Sequence, residues 1–220
     1  MKGVGVRIKL WVVAVAAVLS LGALARPAAA VSLTFYSVSI NTSGLGGGLF
    51  ALDFQLTDGS GSNDANSLVT LTNFNFGTGA ASGAPVLSGG ASGDTVVGVS
   101  LVDSSFFNQF LQNFTAGNAV TFTLGLALAV DAGPTPDLFS LAIIDVNGTG
   151  VEIPTTGPLG VEFLTYDSNG GPPVPYGEPG GAPPPPVISL VTTVPEPATL
   201  GLLGLGLVGV AAVARRRRAA

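Results

Sequence analysis

Between Val31 and Ala214 the side chains able to do chemistry are carboxylates, hydroxyls and amides. The chain has no Cys and no His, and its Lys and Arg residues all lie outside that stretch. Disulfides, thiol catalysis, zinc sites and Ser-His triads in their usual form are therefore excluded. A two-carboxylate glycosidase stays formally open, but no spacing among these acids selects a pair, so the chain is expected not to be an enzyme. The densest run of oxygen ligands is Asp58-Gly-Ser-Gly-Ser-Asn-Asp-Ala-Asn66. A calcium site needs flexible, oxygen-rich loops of this kind, and Asp58 and Asp64 are its candidate ligands. The run does not match EF-hand spacing, and Asp, Gly, Ser and Asn also make ordinary turns, so both readings stand. Asp103, Asp145 and Asp167, each beside an expected strand end, could supply a second set. No other cofactor is implied.

Sugar-binding modules lean on exposed aromatic platforms, and here the only Trp, Trp11, is N-terminal, leaving Tyr36, Tyr166 and Tyr176. Asn-x-Ser/Thr sequences at Asn41, Asn113 and Asn147 fit chance in an Asn- and Thr-rich chain.

The net charge of -5 conceals a segregation. Lys2, Arg7, Lys9 and Arg26 stand at the front and Arg215, Arg216, Arg217 and Arg218 at the back, while all 13 carboxylates lie between Asp53 and Glu196. The stretch 31–214 thus has a formal charge of -13 and cannot form one internal salt bridge with Lys or Arg. Such a surface cannot neutralise phosphates, which excludes nucleic-acid binding. Divalent cations or a cationic partner are its natural counter-charges, although dispersed acids also simply keep a domain soluble.

Both ends read as addresses. Residues 1–30 combine a basic start, an apolar run from Leu10 to Ala25 and the small residues Ala28-Ala29-Ala30. This is the pattern of a secretory signal peptide cut after Ala30, with Ala28 as the other small residue of the site. A second small-x-small site, Ala23-Leu24-Ala25, would leave Arg26 at the new terminus. Residues 194–220 read Val194-Pro195-Glu196-Pro197, an apolar run from Ala198 to Ala214, then four arginines. As a helix, 198–214 would be about 25 Å long, enough to span a thinned bilayer core. The positive-inside rule keeps Arg215–Arg218 cytoplasmic and puts the acidic domain outside.

Pro195, Glu196 and Pro197, the short apolar helix and the terminal arginines together resemble a PEP-CTERM sorting signal. The resemblance implies a membrane-anchored precursor, recognition at those three residues by an exosortase, a membrane cysteine peptidase, and delivery through the secretion machinery. It further implies that Arg215–Arg218 are the cytoplasmic stop. Leu33–Val38 and Ala51–Leu56 are similar to the opening of a group of exported PEP-CTERM proteins with no assigned activity.

Any site has to be built on elements within 31–193. Short β-branched and aromatic runs broken by Gly, Ser, Asn and Pro predict an all-β fold, an antiparallel sandwich of jelly-roll or Ig-like type. Strands are expected at 32–41, 48–57, 67–76, 94–103, 119–130, 137–146, 160–166 and 187–193. Phe50, Leu52, Phe54 and Leu56 alternate with Ala51, Asp53, Gln55 and Thr57, the signature of a half-buried strand. Val120, Phe122, Leu124, Leu126, Leu128 and Val130 share one parity, which predicts a central strand. Phe107, Phe110, Leu111 and Phe114 stand at i, i+3, i+4 and i+7 and predict one short amphipathic helix. Residues 171–186 hold eight prolines and form either a linker of about 50 Å or, the favoured reading, a long loop before a last strand.

The expected function is that of an exported, non-catalytic cell-surface or extracellular-matrix protein, sorted by an exosortase and associated with exopolysaccharide. A calcium-dependent or lectin-like polysaccharide-binding module is the alternative, and it predicts Tyr36 or Tyr166 exposed on a concave face. A hydrolase would require paired carboxylates in a cleft.

Overall fold

The computed structural model describes residues 33–130, 135–146, 150–180, 184 and 187–191. The signal segment with Ala28 and Ala30 lies outside them, as do the Pro195-Glu196-Pro197 motif, the run 198–214 and Arg215–Arg218. Among the described residues no helix is long and apolar enough to cross a membrane.

Most of the expected runs form strands, while the one expected over 94–103 is broken by a turn at 95–97 into two. The strands are β1 (Thr34–Asn41), β2 (Leu49–Thr57), β3 (Leu68–Asn75), β4 (Ala80–Ala81), β5 (Val86–Ser88), β6 (Gly90–Asp94) and β7 (Gly98–Val102). They continue as β8 (Phe107–Thr115), β9 (Ala119–Ala127), β10 (Leu138–Asp145), β11 (Glu162–Asp167), β12 (Val174–Pro175) and β13 (Val187–Val191). One antiparallel sheet has the order β13-β1-β9-β3-β7-β6; the other runs β12-β11-β10-β2-β8-β4, with β5 also paired to β8. Val187–Val191 pairs along β1, and the proline-rich stretch before it includes β12, which pairs with β11.

The two sheets meet on a layer of aromatic rings. Phe54 of β2 stands edge-on to Phe122 of β9 at 5.3 Å between centroids and also meets Phe74, Phe110 and Phe139. Burying a ring of this size contributes about 2–3 kcal/mol, and tilted and edge-on contacts add to it. β9 is central, with Val120, Phe122, Leu124 and Leu126 all buried. On its other face Gly125 lies beneath Phe35, and a Cβ there would collide with Thr70 Oγ1. A glycine is required by that close approach.

β3 changes faces part-way along. Val69 and Leu71 point into the core, and so do Phe74 and Phe76, although the two pairs differ in parity. The register with β9 shifts between Thr72 and Asn75, and Asn73 takes φ 56°, a left-handed conformation that Asn tolerates. This bulge absorbs the odd residue.

The helix expected over Phe107–Phe114 is a correction: that segment is strand β8. Its buried face is Asn108, Phe110, Gln112 and Phe114, a period of two in which polar residues hold alternate places. Asn108 Nδ2 donates to the carbonyls of Leu56 and Ser105, and its Oδ1 accepts from Gly90 N. Gln112 Nε2 donates to the carbonyls of Ser82 and Gly83, which lie in the turn between β4 and β5. Satisfied in this way, both amides can be buried at little cost. Sheet pairing on both sides of β8 outweighs the helical spacing of its phenylalanines.

Candidate functional site

Antiparallel crossovers bring the end of β2, the start of β3, the end of β7 and the start of β10 to one end of the sandwich. There the loop Asp58–Ser67 meets Asp103, Asp137 and Ser168. The loop begins with a sealed carboxylate. Asp58 Oδ1 accepts from Ser60 Oγ at 2.8 Å and Gly61 N at 2.7 Å, and Oδ2 accepts from Asn63 N at 2.5 Å. Burial pushes the pKa of Asp58 up, but these hydrogen bonds to the ionised form outweigh it and hold the carboxyl below its usual range.

Asp137 ties the loop to β10. Its Oδ1 accepts from Gly59 N at 2.9 Å and its Oδ2 from Ser67 Oγ at 2.5 Å, while its own N–H is taken by Ser168 Oγ. Gly59 is held so closely that a Cβ would collide with the carbonyl oxygen of Pro136. Ser67 then joins three segments: its hydroxyl also accepts from Ala129 N, and its N–H donates to Asp103 Oδ1 at 3.0 Å.

Asp103 is 0% exposed and Asp137 1%. The second oxygen of Asp103, Oδ2, is buried without a hydrogen-bond partner. Burial lifts the pKa of this carboxyl to about 6; the Ser67 N–H opposes the rise, and the charges of Asp137 and Asp64 add to it. Asp64 itself is exposed, its Oδ2 accepting from Asn66 Nδ2.

The expected calcium ligands therefore part company. Asp58 spends both oxygens on shaping the turn, and Asp64 presents its carboxylate to solvent at the loop tip. Of the second expected set, Asp103 joins this end and Asp145 sits at the opposite end, paired with Phe50 of β2. Asp167 is exposed at the end of β11, on the same side as Asp103. Sequence reasoning missed Asp137 and Ser67. They stand 70 residues apart, before β3 and β10 of different sheets, and only the packing of one sheet on the other brings them together. Among the described residues no group of three or more carboxylates is arranged to hold a metal ion as the loop stands.

A second carboxylate group lies along the face of the β2 sheet turned away from the core. Asp53 is buried beneath Gln55 and Gln109, whose amides donate to its two oxygens at 2.6 and 2.8 Å. Burial raises its pKa while those amides lower it, and the rise prevails. Glu152 is raised too, by burial and then by the charges of Asp53 and Glu162. Glu162 uses Oε2 to accept from Leu159 N and Val161 N, which shapes the turn before β11.

Neither group offers the paired, open carboxylates that a hydrolase would require. Asp53, Asp103, Asp137 and Glu162 are all sealed from solvent as the chain stands. The aromatic platform is also corrected, because Tyr36 and Tyr166 are half-buried and packed against the core rather than standing out from a face. Tyr176 bonds through its hydroxyl to Thr165 Oγ1 at 3.3 Å.

Comparison with protein families places a PEP-CTERM protein-sorting motif at residues 193–218. Its start follows directly on β13, which ends at Val191. No curated protein and no solved structure matches the chain. The match includes Pro195, Glu196, Pro197 and all four terminal arginines, and it implies export and processing by an exosortase.

Proposed function

From a chain that ends in a PEP-CTERM sorting signal, we propose a non-catalytic component of the cell surface or extracellular matrix. It is delivered as a membrane-anchored precursor, released or transferred by an exosortase, and retained among exopolysaccharide. The observation that carries this reading is the sorting motif at residues 193–218, immediately downstream of the folded sandwich. Supporting it is a domain without His, Cys, Lys or Arg, whose buried carboxylates are occupied with folding rather than turned to a cleft. An acidic, cysteine-free sandwich suits display in a hydrated polysaccharide layer, where charge repulsion keeps copies apart.

The test is a chain in which Pro195, Glu196 and Pro197 are all replaced by Ala, expressed in the native cells. The variant should accumulate in the membrane fraction as a precursor that keeps its arginines, while the parent chain leaves that fraction. Equal processing of the two would remove the basis of the proposal. Cells unable to make exopolysaccharide should shed the processed protein into the medium; retention at the parent level would remove the polysaccharide part. The lectin-like alternative is weakened, because Tyr36 and Tyr166 are half-buried and packed against the core.

A further inference from the structure

An asparagine followed by glycine carries its own reagents, because the backbone nitrogen of the glycine can attack the side-chain amide before it. Among the described residues Asn169–Gly170 is the one such pair. It stands in the turn that closes β11, ahead of β12. Both residues are exposed, and Gly170 takes φ 94° in open space, where even an added Cβ would meet no atom within 4 Å. Its N–H reaches the carbonyl of Asp167 only at 3.4 Å, a weak hydrogen bond. Asn169 is tied through its backbone N–H to Asp167 Oδ1 at 2.9 Å, and among the described residues nothing holds its side-chain amide. The fold denies the same reaction to the nearest equivalents. Ser67 N, which would attack Asn66, donates to the buried Asp103 Oδ1 at 3.0 Å. Gly59 N, which would attack Asp58, donates to Asp137 Oδ1 at 2.9 Å, and Gly59 is packed so closely that a Cβ would collide with Pro136. The Asp58 carboxylate is moreover ionised and held by three donors, which makes it a poor electrophile.

We propose that Asn169–Gly170 is a site of spontaneous deamidation in the folded sandwich. The deprotonated nitrogen of Gly170 attacks Cγ of Asn169, the new C–N bond closes a five-membered succinimide, and Nδ2 takes up a proton and leaves as ammonia. Water then opens the ring. Cleavage at Cγ leaves aspartate, and cleavage at the backbone carbonyl leaves isoaspartate, with the chain running through the former side chain. In sum one water enters and one ammonia leaves, nothing is oxidised or reduced, and one carboxylate is added. It stands beside Asp167, and no Lys or Arg exists between Arg26 and Arg215 to answer it. Isoaspartate also adds a methylene to the backbone next to Ser168, whose N–H donates to the Asp137 carbonyl and whose hydroxyl accepts from the Asp137 N–H. A sandwich displayed outside the cell therefore grows more acidic with age at its carboxylate end. The chemistry needs neither sorting nor a partner, so its failure and the failure of the sorting proposal are separate results.

The experiment is a time course on the full chain in non-ionic detergent, folded and in urea, read by peptide mass and by fragmentation that separates isoaspartate from aspartate. The peptide holding Asn169–Gly170 should convert in the folded chain at close to its rate in urea, and faster at higher pH in proportion to hydroxide. Asn66–Ser67 and Asp58–Gly59 should stay unchanged in the folded chain and convert only in urea. Asn147–Gly148, which lies outside the described residues, is followed on its own peptide. Asn169→Gln, whose longer side chain cannot close a five-membered ring, should keep the parent melting temperature and gain no charge at this position. A folded-state rate at Asn169 more than about tenfold below its rate in urea, the mark of a closed turn, overturns the proposal. Conversion of Asn66 in the folded chain as fast as that of Asn169 overturns it too.

Discussion

The sandwich and the two terminal segments divide the charges of this protein almost completely, with Glu196 of the sorting motif the one acid outside the sandwich. Every base stands in the first 26 or the last six residues, and every acid lies between them. In the proposed membrane-anchored precursor the basic residues of the terminal segments have a topological use, since they favour the cytoplasmic side of a membrane. The sandwich, on the proposed processing, is left with no basic side chain. Its buried acids are then stabilised by backbone N–H groups, amides and hydroxyls alone, and Asp103 Oδ2 is left without a hydrogen-bond partner. Sorting and folding thus pull on composition in opposite directions.

The contrast is most vulnerable at Asp137, where one carboxylate supports three segments. Asp137→Ala strands Gly59 N and Ser67 Oγ–H and should cost about 3 kcal/mol, measured as a shift in urea midpoint at neutral pH with an unchanged slope. A loss below about 1 kcal/mol would mean that the loop is held elsewhere.

A smaller effect shows how acids without bases are accommodated. Asp53, Asp103 and Glu152 all bind their protons more tightly in the folded chain than in the unfolded one. The folded state therefore holds more protons between the ordinary value of 3.8 and the value of about 6 at Asp103, and stability falls as the pH rises through that window. Asp58 and Asp94 are shifted the other way, and their contribution is lost only as the pH drops below about 4. In chelator the chain should be more stable near about pH 4.5 than near about pH 7. Asp103 lies only shallowly beneath the surface, so its share is about 1–2 kcal/mol after screening. Asp103→Asn should flatten the profile, and a profile rising toward neutral pH would contradict this assignment.

Much of the fold was legible in the sequence because most strands follow a simple alternation. Phe50 to Leu56 and Val120 to Leu126 put one residue in two into the core; β2 keeps its expected limits to within a residue, whereas β9 ends at Ala127, short of the expected 130, and Val130 is exposed. β8 was not legible because Asn108 and Gln112 occupy core-facing places, leaving phenylalanines whose spacing fits a helix equally well. β4, β5 and β6 are built largely of small residues, and partner strands rather than their own propensity make them strands. At the acidic end the ligand-like loop was visible, but its meaning was not. That Asp58 shapes a turn could be guessed locally, whereas the links from Ser67 to Asp103 and Asp137 span 36 and 70 residues. No local pattern encodes those contacts. The sorting tail was the opposite case, since its three parts are contiguous and in fixed order.

Whether the basic ends are addresses, and the acidic sandwich the protein displayed, turns on processing. The decisive measurement is intact mass with terminal peptides, on the protein recovered from native cells and medium. The expected species begins at Val31, breaks near Pro195–Pro197 and carries no arginine. A membrane-held species that still ends in Arg215–Ala220 would contradict this and leave the tail as a plain anchor.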